Sequence, residues 1–214
     1  MKCHVSKRNA FMKLTVRRVF SSHELWIKTN GKAGKKGILE NLDFHDEEFS
    51  TSLLINGFIF RRCKFYNVVF DKSVNLSSAS FENCSFHGCS FRGVNFQKVT
   101  FYACSFFGGE ISESNFADSR FSSSSISGIK ITDSSFMNAS FSKVTGFSNC
   151  NFQKSSFFDV ALQDSFFVLC DFRDNLFNFF LPQSCHFERI RWFCDDIPWW
   201  LGHRHQSAFI LYDE

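Results

Sequence analysis

Between Phe60 and Phe187 a large apolar residue returns at every fifth position, a period that neither a helix nor a strand produces. The series runs Phe60, Phe65, Phe70, then Leu76 and on in fives to Phe141, then Phe147 and on in fives to Phe187. Six-residue steps interrupt it at 70→76 and 141→147. Of its 26 centres, 25 are Phe, Leu or Ile, and Pro182 is the exception. Twenty of the chain's 32 Phe stand there, where chance would place roughly four. A weaker register, Leu39, Phe44, Phe49, Leu54, precedes it and reaches Phe60 by a further six-residue step. Two positions before each centre the residue is small in 22 of 26 cases, as at Ala79, Cys84, Val94, Cys104 and Ala139. The remaining positions are mostly Ser, Asn, Asp, Lys or Arg.

A chain that turns a corner every five residues satisfies this pattern. Four corners close a square coil of 20 residues, with the small and the large residue inward and three polar residues outward. Successive coils stack at the ~4.8 Å strand spacing. Residues 20 apart, or 21 across a six-residue step, then share a column. One such column is Phe65, Phe86, Phe106, Ile126, Phe147, Phe167, Phe187. Its rings would form offset stacks worth ~0.5–1.5 kcal/mol per good pair. Asn75, Asn95 and Asn115 share another column, suited to an amide ladder. Gly88, Gly108 and Gly128 share a third with Asn67 and Asn149, so that corner calls for a positive φ and a type II-like turn.

The unit small–polar–large–polar–polar, as in Cys84-Ser85-Phe86-His87-Gly88 and Val94-Asn95-Phe96-Gln97-Lys98, resembles that of pentapeptide-repeat proteins over about residues 39–189. The resemblance implies an all-β fold, a right-handed quadrilateral parallel β-helix. The sequence departs from the family's usual form in using Phe rather than Leu at most centres. Three regions follow: a basic leader or N-terminal cap over 1–37, the β-helix over 38–189, and a short, partly helical, Trp-rich C-terminal cap over 190–214. The helical turn is expected around Arg191–Asp196, with Trp192, Trp199 and Trp200 as an aromatic plug over the open coil end.

Composition excludes several classes. Hydrophobic residues at 44% and charged residues at 21% argue against wholesale disorder. No apolar run approaches the ~18 residues of a spanning helix, and no signal-peptide core is evident. Charge is divided unevenly. Residues 1–36 hold ten bases and one acid, Glu24, for +9, against −6 for the remainder. The leader reads as solvated and poorly ordered, joined to the body through Asn30–Gly37. An alternative is an amphipathic element through Phe11, Leu14, Val16, Val19 and Phe20 whose basic face would touch anionic lipid.

Seven of nine Cys (Cys63, Cys84, Cys89, Cys104, Cys150, Cys170, Cys185) occupy the small inward position, which assigns them as reduced structural thiols. Cys194, His203 and His205 are the one grouping with zinc-ligand chemistry, and no metal or cofactor is expected. No nucleotide-binding, hydrolase or metalloprotease motif occurs, and an interior filled by Phe leaves no pocket for catalysis. The expectation is a non-enzymatic scaffold for protein–protein interaction. Family resemblance allows a bacterial protein, cytoplasmic or delivered into a host cell by a signal-peptide-independent route. It also allows a topoisomerase- or gyrase-binding DNA mimic, or the recognition module of a ubiquitin-ligase-like effector. Mimicry of DNA requires a strongly negative surface, and the body interleaves its acids with Arg61, Arg62, Arg92, Arg120 and Arg173. The candidate binding residues are Phe107, Phe166, Val168 and Leu169 on one uncharged strip, with Trp199 and Trp200 at the C-terminal end as a cap, partner or homodimer surface.

Overall fold

A computed structural model describes residues 7–49, 54–72, 74–144, 146–172, 175–178 and 181–191. From Ile38 to Arg191 the described residues form a four-walled parallel β-solenoid of about seven turns. Strand pairing in the first wall shows the coil length directly. Leu39 pairs with Phe60, Phe60 with Phe81, Phe81 with Phe101, Phe101 with Phe121, Phe121 with Phe141 and Phe141 with Leu162. The step is therefore 21 or 20 residues. The 21-residue steps fall where an extra residue enters a corner.

The second wall holds the column read from the sequence: Phe65, Phe86, Phe106, Ile126, Phe147, Phe167 and Phe187 pair in that order. The third wall carries Phe49, Phe70, Phe91, Ile111, Ile131 and Phe152 in one register. On the fourth, Phe96, Phe116 and Phe136 stack at 4.6 and 4.9 Å between ring centroids. Rings on one wall stack near-parallel, as in Phe60–Phe81 (4.8 Å, 4°). Rings on adjacent walls meet edge to face, as in Phe81–Phe86 (5.4 Å, 67°). These are the two arrangements favoured by the ring quadrupole. The square coil lets one ring adopt both at once, as Phe86 stacks on Phe106 (4.6 Å, 11°) and meets Phe91 edge-on (5.7 Å, 65°).

The weak early register differs by one residue from the sequence reading. Leu54 pairs with Asn75, and Ile55 is the buried centre beneath Leu76. The extra residue of the first coil therefore lies between Phe49 and Ile55, and the step from Ile55 to Phe60 is five. Inside the aliphatic run Leu53, Leu54, Ile55 the period had no means of choosing the centre.

The inward small position accepts Cys and Ser by one geometry. Cys63 Sγ donates to Arg61 O (3.4 Å), and Ser124 and Ser134 Oγ donate to Ser122 O (3.1 Å) and Thr132 O (2.8 Å), always two residues back. The Ser hydroxyls also accept an amide of the coil before, as from Cys104 N to Ser124 Oγ (3.1 Å). A polar atom is thus tolerated inside because the coil supplies its partners.

Positive φ is not confined to the glycine column. All four corners use it, at Arg62, Ala103 and Lys143, at Gly88 and Asn149, at Gly93 and Glu113, and at Ser78 and Lys98. The corner leaving the fourth wall is a hydrogen-bonded turn, with Ala79 N donating to Leu76 O (3.0 Å) and Val99 N to Phe96 O (3.0 Å). Its third residue carries the positive φ of a type II turn. The Asn column serves that corner. Asn75, Asn95 and Asn115 each accept, through Oδ1, the amide two residues on, at 2.9–3.0 Å. These are Asx turns, and among the described residues no hydrogen bond links one of these amides to the next, contrary to the expected ladder.

From Lys7 onward the basic leader is folded, which corrects the reading of it as a solvated arm. Lys7–Lys28 is a helix, α1. It ends in a Schellman motif: Gly31 N donates to Trp26 O and Asn30 N to Ile27 O, with Asn30 at φ 50°. Val16 and His23 are buried. Phe20 meets Phe49 (6.4 Å) and Phe58 (5.3 Å). The stripe through Val16, Val19, Phe20 and His23 packs on the first coil, so α1 is the N-terminal cap. That coil carries Glu40, Asp43, Asp46, Glu47 and Glu48 and no base, which complements the helix's charge. The expected C-terminal cap lies beyond Arg191, outside the described residues.

Candidate functional site

Outward side chains of the second wall form three rows, set by the pleat and by the corner. Phe107 pairs with Ser127, Ser127 with Ser148 and Ser148 with Val168. Phe107 and Val168 therefore stand three strand spacings apart, about 14 Å, on one row. Phe166 and Leu169 flank Val168 on the same wall. Phe107 is 62% exposed, Phe166 48% and Leu169 45%, while Val168 is half-buried. The four residues singled out from the sequence thus share one face, and three of them are open to solvent. Neither α1 nor any other described element covers them.

Between these aromatic and aliphatic ends the wall is a low plateau of Ser125, Ser127, Gly128, Ser148 and Asn149. Ser148 Oγ donates to Ser127 Oγ at 2.9 Å. From Ser85 to Leu169 no outward residue of this wall is charged. Charge returns only at its ends, with Asp43, Lys64 and Asp46 before it and Glu188 and Arg189 after. A low-polarity centre with a charged rim is the anatomy of a protein interface. The third wall contrasts with it. There Glu110 pairs in register with Lys130, and Arg92 Nη2 lies 3.4 Å from Glu113 Oε1. Other exposed apolar residues, such as Tyr102, Met137 and Leu176, are scattered on other walls.

Leu169 adds a second signal. Its φ is +55°, and among the described positive-φ residues it is the one large apolar side chain. The same corner carries Gly or Asn in the four preceding coils. An L-residue in this region costs ~1–2 kcal/mol, so a bulky apolar group is held on the surface at the expense of stability.

The sequence reading missed one feature of this wall. His45, Tyr66, His87 and Phe107 form a ladder on its outside: His45–Tyr66 at 4.6 Å and 10°, Tyr66–His87 at 5.1 Å and 19°, then His87–Phe107 at 6.2 Å and 48°. Spacings of 21, 21 and 20 residues were the available signal, but the first rung lies in the weak register where the column was not extended. Phe107 is the end of this stack, and its outer ring face opens onto the Ser plateau.

Trp199, Trp200 and the Cys194, His203, His205 grouping lie outside the described residues. Among the described residues no cluster of three or more His, Cys, Asp or Glu can hold a metal ion. The interior holds an apolar cavity of about 10 Å³, lined by Phe rings and by Ile111, Ile126 and Ile131 where Ile replaces Phe. That is room for one water at most. All seven inward Cys are buried and unbridged. Cys84 is pushed up to about 12 by its hydrogen bond with Cys104 and by burial, and Cys63 is raised by its hydrogen bond with Cys84 and by burial. Burial also raises Cys89 and Cys185. Thiols raised in this way carry little thiolate at neutral pH.

A parallel solenoid whose inside is a filled ladder and whose outside is a set of fixed rows belongs to the β-helical scaffold class. Within that class, residues 74–145 match the family model described as pentapeptide repeat region. The coil keeps its register on both sides of that stretch, so residues 74–145 are a pentapeptide repeat region inside a longer solenoid of the same geometry. Among solved structures the chain is similar to a trypsin-treated variant of QnrB1, a plasmid-mediated fluoroquinolone resistance protein. That match has 17% identity and covers 68% of this chain and 82% of that one, with a TM-score of 0.39. It is similar also to HetL, a pentapeptide-repeat protein involved in heterocyst differentiation regulation from the cyanobacterium Nostoc sp. strain PCC 7120. There the identity is 7%, with 76% and 92% of the chains covered and a TM-score of 0.21. Neither likeness bears on what this chain does. No curated protein matches the sequence.

Proposed function

We propose that this protein is a non-enzymatic pentapeptide-repeat scaffold that binds a protein partner across its second wall. The observation that carries the reading is the uncharged face on which Phe107, Phe166 and Leu169 stand exposed between charged rims. Such a strip is inexpensive to desolvate, and its aromatic and aliphatic knobs are the kind of group that anchors an interface. The rigid coil fixes their spacing before the partner arrives, so little ordering entropy opposes binding.

The topoisomerase-binding alternative draws no support from the arrangement. A DNA-like surface needs continuous negative potential, whereas the third wall alternates sign and the second is uncharged from Ser85 to Leu169. The host-delivered-effector alternative leans on an unstructured leader, and the helical leader with its docked stripe removes that support.

The experiment is capture from bacterial and from host lysate by the wild type, by a Phe107→Glu/Val168→Glu variant and by a Lys130→Glu control on the third wall. A specific partner should be lost with the double variant and kept by the control, with all three proteins equally folded. Equal capture by a folded double variant sinks the reading.

A further inference from the structure

His23 is fully buried between α1 and the first coil, and both of its ring nitrogens are committed. Gly37 N donates to Nδ1 at 2.9 Å. Nδ1 is therefore unprotonated, and the ring proton sits on Nε2, which donates to Asn56 O at 3.0 Å. The ring lies edge-on to Phe58 at 4.9 Å and stacks on Trp26 at 5.6 Å. One side chain on the helix thus ties together the link, through Gly37, and the first coil, through Asn56. A second proton has only Nδ1 to occupy, where it would point at the Gly37 N–H. The ring can be charged only if that hydrogen bond breaks.

From this geometry we propose that His23 is an acid-released latch: it holds the N-terminal helix on the open end of the β-helix while neutral and lets it go when protonated. Release would uncover Phe49, Phe58 and the strand edge of the first coil, the surface that a solenoid must cap. The elements packed around the ring carry Lys35 and Lys36 in the link, Glu24 and Lys28 on α1, and Glu40 on the first coil. Glu24 and Lys28 pair with each other, and Lys36 acts on the ring by charge, opposing its protonation. Burial acts in the same sense and more strongly, so the docked ring titrates below its ordinary value of 6.5. The sign follows. The released ring binds a proton more readily than the docked one, so docking has its full strength above about pH 6.5. It weakens by up to tenfold per pH unit below that, until the docked ring itself titrates.

The test is hydrogen exchange of the full chain between pH 7.5 and 5, read as protection factors for α1 and Gly37, alongside NMR detection of the His23 ring nitrogens. The expected result is an Nε2–H tautomer at pH 7.5, with protection of α1 falling about fivefold from pH 6.5 to 5.5 in step with ring titration, while the central coils stay protected. His23→Gln keeps an amide donor at the Nε2 position without titrating, and its protection should stay flat across the range. The first coil's carboxylates and His45 remain in that variant, so an equal pH dependence in His23→Gln overturns the proposal. Should Gln fail to dock, the wild-type ring decides: protonation without loss of α1 protection, or unchanged protection down to pH 5, also overturns it.

Discussion

Gly108 and Gly109 are adjacent, both have positive φ, and the structure assigns them different costs for the same added methyl. At Gly108 φ is +61°, and a Cβ would meet nothing within 4 Å. Gly108→Ala therefore carries only the left-handed penalty of ~1–2 kcal/mol, offset by the ~0.5–1 kcal/mol of backbone entropy that glycine loses on folding. The net is a destabilisation of about 1 kcal/mol. At Gly109 φ is +97°, and the Cβ would lie 2.1 Å from Cys89 O and 2.8 Å from Cys89 N. Those atoms belong to the paired strand of the preceding coil, so no side chain can swing aside. Backbone strain of ~1–3 kcal/mol adds to overpacking of ~1–3 kcal/mol. Gly109→Ala should cost roughly 3–5 kcal/mol. Equilibrium urea unfolding followed by far-UV circular dichroism reads both variants. Hydrogen exchange over Ser85–Arg92 and Ser105–Ser112 tells whether the loss is centred on these two coils, as nearest-neighbour coupling demands. If the two substitutions differ by less than about 0.5 kcal/mol, the close approach of the coils at Gly109 is misjudged.

Two further outcomes follow from the inward positions. The seven described Cys should resist iodoacetamide at pH 8 in the native protein and react within minutes once unfolded, counted by mass spectrometry. Fast native labelling of Cys84 would contradict a thiol held near 12 in a filled coil. Ser119 differs from the other inward serines because its hydroxyl is buried without a hydrogen-bond partner, and its column neighbours are Val99 and Ala139. Ser119→Ala should therefore stabilise the protein by about 1 kcal/mol in the same urea assay, and a loss of stability would mean that the hydroxyl has a partner.

What the sequence made legible was whatever the period repeats. Twenty-six centres at one spacing over-determine a register, so a single odd residue such as Pro182 or Ile126 does not disturb it. Each row of the outside inherits that register, which is why the sequence alone puts Phe107, Phe166, Val168 and Leu169 on one wall. The same logic fails where the count is short. Four centres in the first coil could not separate Leu54 from Ile55, and the lower rungs of the His45–Tyr66–His87–Phe107 ladder were lost with them. Positive φ at Arg62 or Ala103 was invisible for a different reason. Geometry imposes that corner on every coil, and the stacked ladders outweigh a cost of ~1–2 kcal/mol per residue, so selection need not mark it with Gly. The leader lies furthest from sequence logic. Its charge of +9 suggests a solvated arm, yet the decisive residues are Val16, Phe20 and His23, whose partners Phe49, Asn56 and Phe58 belong to a coil more than 25 residues away. The first coil's five acids offered a hint of where a basic helix would settle. A cap is chosen by the end that it covers, and the shape of that end exists only once the coil has closed.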